Sequence, residues 1–194
     1  MILVNEIFYS MQGEGYNSGT PAVFVRLSGC NLNCPFCDTD HSTGAPMSEE
    51  AIVQAVMQWP ARLVVVTGGE PALQLTSTLV EALHRAGRRV AVETNGTLPL
   101  PDGIDWVTVS PKDTFLGSVA KPILTHADEL KVLFDGEHEP CLYPEIEVAY
   151  HCLQPIDTGD STRNAVITSA AVEYIKQHPM WRLSLQTHKI LNIR

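Results

Sequence analysis

The sequence predicts an α/β fold: an incomplete, TIM-like barrel of about six parallel strands, in a single domain spanning residues 1–194. Three observations carry that expectation. Short apolar runs rich in branched residues alternate with amphipathic stretches of helical period, the pattern of strand–helix units around a parallel sheet. The 194 residues fall short of the ~250 typical of a complete eight-fold barrel. Polar clusters follow the apolar runs, as they do where loops at the carboxyl ends of barrel strands build a site.

The elements follow in order. Ala22–Ser28 reads as the first strand, then Leu63–Thr67, Arg89–Thr94, Trp106–Ser110, Glu129–Phe134, Val148–Gln154 and Arg182–Gln186. Between them, Ser48–Trp59 opens on a Ser48 N-cap and lines Ile52, Val53, Ala55, Val56 and Trp59 along one face. Leu75–Ala86 ends at Gly87, a C-cap, and Thr162–Gln177 ends before Pro179. Asp135–Glu147 is polar, holds two prolines and reads as loop with a helical turn at most. No linker, repeat or low-complexity segment interrupts the chain.

Composition narrows the function classes. Apolar residues make up 44% and charged residues 18%, an ordinary globular balance. A formal net charge of −9 without any basic stripe argues against direct nucleic-acid binding. The densest positive spot, Arg85-Ala-Gly-Arg-Arg89, is a helix exit, where positive charge belongs anyway. A small-molecule substrate is favoured. No apolar run would span a bilayer, and the N-terminus lacks a signal peptide's basic start, so the expected location is the cytoplasm. Five cysteines, three of them crowded into one loop, suit metal-binding thiols in a reducing compartment better than disulfides.

That crowding is the most specific signal. Cys30, Cys34 and Cys37 stand at C-x3-C-x2-C spacing and offer three thiolates from one loop. A structural zinc site or an electron-transfer cluster usually takes four protein ligands. Three thiolates on a cubane leave one iron open to bind a small molecule. Cys141 lies between two prolines and is a minor candidate for a fourth ligand, whereas Cys152 reads as a packed strand residue. None of the seven histidines forms a spaced metal-binding pair.

Four polar clusters close apolar runs and share one rim: Gly68-Gly69-Glu70-Pro71, Thr94-Asn95-Gly96, Pro111-Lys112 after Ser110, and Gln154-Pro155. Glycines admit close backbone approach to a ligand. Glu70 beside them either accepts from a ligand ammonium or caps a tight turn, and the cysteine loop favours the ligand. Arg26 shares a strand face with Phe24 and Ser28, where an unpaired guanidinium is too costly. Its partner is an internal Glu, Glu14 or Glu93, or a substrate carboxylate bound bidentately, which is preferred. Gln12-Gly13-Glu14-Gly15 offers an amide and a carboxylate suited to the edge of a guanine- or pterin-like ring; the alternative is a surface turn. Thr39 with Asp38 and Asp40 suits magnesium or, equally, an Asx or Ser/Thr turn.

The cysteine spacing with Phe36 as its aromatic residue, followed by Gly-Gly-Glu-Pro, resembles the radical S-adenosylmethionine (SAM) superfamily. Further motifs narrow the resemblance to the 7-carboxy-7-deazaguanine synthase family. They are Phe8–Gly15, Phe24–Cys30, Cys37–Thr39, Thr67–Pro71, Glu93–Thr97, Val109–Lys112, Leu153–Pro155 and Trp181–Lys189, and they run from near the N-terminus almost to the C-terminus. The family converts 6-carboxy-5,6,7,8-tetrahydropterin to 7-carboxy-7-deazaguanine by radical ring contraction with loss of ammonia, a step towards queuosine and related 7-deazapurines. The resemblance implies a radical SAM core, a [4Fe–4S] cluster on Cys30, Cys34 and Cys37, S-adenosylmethionine, and Mg2+ on Thr39. It implies substrate contacts from Gln12, Gly13, Glu14, Arg26 and Thr67. S-adenosylmethionine contacts are implied for Phe36, Cys37, Asp38, Gly69, Glu93, Ser110, Pro111, Lys112, Gln154 and Pro155. A homodimer and a flavodoxin- or ferredoxin-type electron donor are implied as well. The closing Gln186–Lys189 finishes either the pocket or a dimer contact.

Two rivals share part of this pattern. A glycyl-radical-enzyme activating protein has the cysteine loop but acts on a protein, which the substrate-side Gln12–Gly15 and Arg26 argue against. A non-catalytic zinc or iron–sulfur module would want a closed site, whereas three thiolates beside a ligand-lined rim suit an open one.

Overall fold

The computed structural model describes residues 1–194. Strands β1 (Ile2–Met11) and β2 (Pro21–Leu27) pair antiparallel, and short β3 (Ala45–Met47) pairs antiparallel with the other edge of β1. From β2 onward the sheet is parallel: β4 (Leu63–Gly68), β5 (Arg89–Thr94), β6 (Trp106–Val109), β7 (His126–Phe134), β8 (Glu147–Pro155) and β9 (Trp181–Leu183) follow in spatial order. The sheet does not close, since β3 and β9 are its edges. This is the partial barrel expected; its seven parallel strands correspond to the seven apolar runs read as strands, one more than the barrel count of about six.

Two strands lie outside the sequence expectation. In β1, Ile2, Val4 and Phe8 are buried in alternation, but polar Asn5 and Glu6 interrupt the run. The pairing register shifts there between Val4 and Glu6, a bulge that absorbs the break. In β3, Ala-Pro-Met carries too little pattern to read. At the far edge β9 spans Trp181–Leu183 rather than Arg182–Gln186, and the chain turns into helix α5 (Thr187–Leu191).

Helices α1 (Glu49–Val56), α2 (Ser77–Arg85) and α4 (Ser161–Gln177) start on the caps their sequences provide, whereas one-turn α3 (Asp113–Leu116) has no side-chain cap. Ser48 Oγ accepts from the Ala51 amide, Thr76 Oγ1 from Leu79, and Asp160 from Thr162 and Arg163. Helix α2 ends in a Schellman turn: Gly87 at φ +75° lets the Arg88 amide reach the Leu83 carbonyl and its own amide reach His84. Buried Ile52 and Val56 of α1 and Leu79, Val80 and Leu83 of α2 pack on Val23, Val25, Val64, Val66 and Val92 of the sheet. Ile167 and Ala171 of α4 pack on Leu130, Val132 and Leu153. Alternation turns the intervening strand residues, Arg26, Thr67, Glu93, Lys131 and Gln154, to the opposite, concave face.

The turn after β4 ties the strand ends together. A Cβ on Gly68 would strike the Leu27 backbone, and one on Gly69 the Gly29 carbonyl, so both glycines are dictated by close chain approach. Glu70 is fully buried: Oε1 accepts from the Ala72 amide at 3.0 Å and the Thr94 hydroxyl at 2.6 Å, and Oε2 from the Asn95 amide at 2.8 Å. It therefore caps the 3-10 turn Pro71–Leu73 and offers no free oxygen to a ligand ammonium, which corrects the expectation above. From Asn95 the tie passes at 3.0 Å to Asn31 in the cysteine loop. Replacing Glu70 by Ala strands three donors, and we expect it to lower the unfolding free energy by about 3 kcal/mol. Urea unfolding monitors this; a loss below about 1 kcal/mol would mean that the carboxylate is not the tie.

Candidate active site

The strand ends and their loops enclose a cavity of about 450 Å3, within the size range of small-molecule sites. Every residue implied to contact cluster, cofactor or substrate lines it, with the exception of Pro111. Pro111 is buried behind the rim, where its ring fixes the backbone between Ser110 and Lys112. Gln186, His188 and Lys189 line the cavity too, so the closing segment belongs to the pocket.

The segments arrive from both ends of the barrel. The cysteine loop, Gly69, Ser110–Lys112 and Gln154–Pro155 come from the carboxyl ends of strands. The loop Gln12–Thr20 begins at the amino-terminal end of β2 and folds across the gap between the sheet edges. The Gly13 carbonyl accepts from the Thr187 amide at 3.0 Å and its hydroxyl at 2.7 Å, and a Cβ on Gly13 would strike His188. The alternative of a surface turn is thereby corrected: Gln12 is buried and Glu14 faces the interior.

At the centre stands Lys131, 5% exposed. Its ammonium donates to Glu14 Oε2 at 2.7 Å and to Glu93 Oε2 at 2.8 Å. Gln12 Nε2 donates to Glu93 Oε1 at 3.0 Å, and Gln186 Nε2 to Glu14 Oε1 at 3.1 Å. Burial would raise the Glu14 carboxyl, but the Lys131 ammonium outweighs it and holds the group at about 2. In Glu93 burial prevails: Lys131 pulls against it, and the charges of Glu14 and Glu129 tip the balance upward. Burial works against the Lys131 ammonium, yet the three carboxylates Glu14, Glu93 and Glu129 more than compensate and hold it above the ordinary lysine range. Lys112 has no carboxylate partner; it donates to the Ser110 carbonyl and hydroxyl, and burial with the Lys131 charge brings it down to about 8.

Arg26 pairs with neither of its expected internal partners. Its Nε donates to Glu6 Oε1 at 2.8 Å, across the registered β1–β2 pair, and its Nη1 reaches Thr39 Oγ1 at 3.4 Å. Glu6 also pairs with Arg194 at the chain end. The acidic residues near Thr39 are already engaged. Asp38 accepts from Lys189 at 2.8 Å and Gln186 at 3.3 Å, while Asp40 forms the Asx turn onto the Ser42 amide and hydroxyl. Lys189 also reaches Asp157 at 2.8 Å, so α5 straps the cysteine loop to the loop after β8.

Cys30, Cys34 and Cys37 are free thiols lining one cavity. Burial raises the Cys30 thiol, with the charges of Glu70 and Cys37 adding. Burial also raises Cys34; Lys112 opposes this, and Cys30 and Cys37 reinforce it. A cationic centre would reverse that balance at Cys30 and Cys34, since a metal deprotonates a coordinating thiol. The three side chains do not converge on the position of a single ion; what they share is the wall of one cavity, and thiolates are the donors an iron–sulfur cluster takes. Gly69 keeps that space open: a Cβ there would crowd Cys30. Cys141 is exposed and outside the cavity, and Cys152 is buried in β8.

Sequence reading passed over Lys131, Glu129 and Glu6. The signal for the first two was present, because two charged residues alternate along the same face of an otherwise apolar strand. Glu6 lay in the strand whose bulge hid its pattern.

The comparisons agree with this geometry. Residues 24–122 match the family model of the radical SAM superfamily. A 7-carboxy-7-deazaguanine synthase of Bacteroides thetaiotaomicron is 48% identical, with 98% of each chain covered. One from Burkholderia multivorans is 43% identical, again over 98% of each. The crystal structure of QueE from Escherichia coli superposes with a TM-score of 0.75 at 27% identity, covering 95% of this chain and 93% of that one. Near-full-length identity well above 30%, on a partial barrel that gathers three thiols in one cavity, places the chain in the 7-carboxy-7-deazaguanine synthase family of radical SAM enzymes.

Proposed function

We propose that this protein converts 6-carboxy-5,6,7,8-tetrahydropterin to 7-carboxy-7-deazaguanine with loss of ammonia. The observation that carries the reading is a single cavity with three thiols at one side and the Gln12–Glu14–Lys131–Glu93 network at the other. When bound, the [4Fe–4S] cluster and S-adenosylmethionine supply the hydrogen-abstracting radical chemistry of the superfamily.

The protein's part is recognition, orientation and exclusion of water. Cys30, Cys34 and Cys37 would hold the cluster. Gln12 and Glu14 would read the donor–acceptor edge of the pterin, with the Gly13 backbone and the Thr67 hydroxyl beside them. Arg26 would take the pterin carboxylate, exchanging Glu6 for a second anion while Glu6 keeps Arg194. Lys112 and Ser110 supply an ammonium and a hydroxyl for the cofactor's carboxylate end, and Gly69, Glu93, Gln154 and the backbone at Phe36, Asp38 and Pro155 complete its bed. Thr39 would present its hydroxyl to Mg2+. Its neighbour Arg26 would then need the substrate's negative charge between it and the ion, so magnesium and substrate should bind together.

The wider setting belongs to the same proposal. Free cysteines call for a reducing compartment, hence the cytoplasm; no helix is long and apolar enough to cross a membrane. The chemistry draws its electron from outside the chain, from a flavodoxin- or ferredoxin-type donor. The chain would act as one domain and as a homodimer, without contacting nucleic acid.

Anaerobic reconstitution followed by incubation with reductant, S-adenosylmethionine, Mg2+ and the carboxytetrahydropterin should yield the deazaguanine acid, detected by mass spectrometry. Absence of that product, with 5′-deoxyadenosine released only when a protein partner is added, would sink the proposal. Arg26→Ala should raise the KM for the pterin about 10- to 100-fold, the worth of a charge-assisted bidentate contact. The cluster's visible absorbance should be unchanged; an unaltered KM would remove Arg26 from the substrate. Thr39→Ala should shift the magnesium titration to higher concentration without moving S-adenosylmethionine binding, and an identical titration would dismiss it as a ligand.

A further inference from the structure

Glu129 lies on β7 two residues before Lys131, on the same face, yet does not line the cavity. It is 1% exposed. Oε2 accepts the Tyr16 amide at 3.0 Å, and Oε1 has no hydrogen-bond partner. A carboxyl group so placed, with one oxygen buried and unpaired, is expensive, and an apolar side chain of like size would be cheaper. Lys131 does not by itself require it, since Glu14 and Glu93 already pair with that ammonium directly.

Apart from the Cys152 thiol of neighbouring β8, its contacts are with the loop that carries the recognition residues. Gly15 passes over the carboxylate at φ +65°, where a Cβ would collide with it. The Gly15 amide donates to Ser184 Oγ at 2.8 Å, and Ser184 donates onward to Gln154 at 2.5 Å. The Tyr16 ring stacks on Trp106 and lies against Tyr150, with centroids 5.0 and 4.2 Å away. Two successive amides are thus bound to the barrel wall immediately after Glu14. With the chain fixed there, Glu14 and Gln12 face Lys131 and Glu93 on the cavity side. Backbone bonds from Gln12 to Thr20 and from Gly19 to Gln12 close the base of the loop, but no ladder continues through Glu14–Tyr16, so a buried acceptor substitutes for one there.

We propose that Glu129 is a positioning residue for substrate recognition: by clamping the Tyr16 amide from below, it holds Gln12 and Glu14 in register with the ring edge they read. The proposal rests on the pterin reading above and adds a residue that never touches substrate. A purely structural residue would cost stability evenly, whereas a clamp acts on one loop and on one ligand.

The test uses the full chain with Glu129→Gln, Glu129→Ala and, to avoid a cavity, Glu129→Leu. Gln keeps an oxygen for the Tyr16 amide. Hydrogen exchange of residues 12–16 is measured in the unloaded protein, and KM, kcat and the S-adenosylmethionine dissociation constant in the reconstituted enzyme. Loss of the clamp should speed Tyr16 exchange about tenfold and raise the pterin KM about tenfold in the Ala and Leu variants, the equivalent of one buried hydrogen bond. The kcat and cofactor affinity should move far less, and Gln should restore both exchange and KM. Wild-type exchange in the Leu variant, damage in Gln equal to that in Ala, or equal loss of cofactor and substrate binding would each overturn the proposal. So would an unprotected Tyr16 amide in the wild-type chain, a measurement that stands if variants fail to fold. Failure of wild-type protein to turn over the pterin would overturn the reaction instead, leaving the exchange data to decide Glu129.

Discussion

A lysine ammonium buried inside a sheet is the constraint around which the rest of this molecule is arranged. Lys131 projects from the middle of β7 into the concave face and is almost wholly buried. Left alone, such a charge would cost several kcal/mol. Its partners come from far along the chain, Glu93 from β5 and Glu14 from the β1–β2 loop. The second of these explains why a loop that starts at the amino-terminal end of β2 enters the barrel at all. Once Glu14 is drawn inward, Gln12 meets Glu93 and Gly13 meets α5. One ion pair therefore fixes the floor of the cavity, and the closing helix follows.

The carboxylates around Lys131 outnumber it, with Glu129 beneath as a third. The interior thus gathers three carboxyl groups about one ammonium, while Lys112, near Cys34, has no carboxylate partner. A ligand positively charged at one point and carboxylate-bearing at another matches that polarity, and the sulfonium and amino-acid ends of S-adenosylmethionine have it. The charge pattern and the thiols point to the same occupant by separate routes.

Strand–helix alternation was legible because core contacts follow it: Val25, Val66, Val92 and Leu153 are buried where period-two reading puts them. The cysteine loop was legible because thiols at that spacing have few uses. What escaped was tertiary. Glu6 is an ordinary polar residue until the hairpin sets it opposite Arg26, and nothing in Phe24–Ser28 names it. Glu70 looked like a ligand because a carboxylate beside two glycines suits one. Its real donors, Thr94 and Asn95, lie one parallel strand away, and only the register joins them. The two charges of β7 were visible on one face, yet which carboxylates would meet Lys131 depended on a loop whose path no local pattern encodes.

The open sheet is part of how the site works. In a closed barrel, strands would occupy the gap that Gln12–Thr20 and α5 now fill, and side chains would pack the interior. Leaving the sheet unclosed admits a loop whose amides bind the wall and whose side chains face the cavity. It also lets Lys189 bridge Asp38 and Asp157, so the cysteine loop is tied to the strand end opposite it by one ammonium. Both devices join segments distant in sequence through buried or half-buried charge rather than through apolar packing. Such contacts are directional, so they fix where each recognition group points as well as how near it lies. The apolar helices outside hold the sheet together, while the charges inside set the geometry of the site.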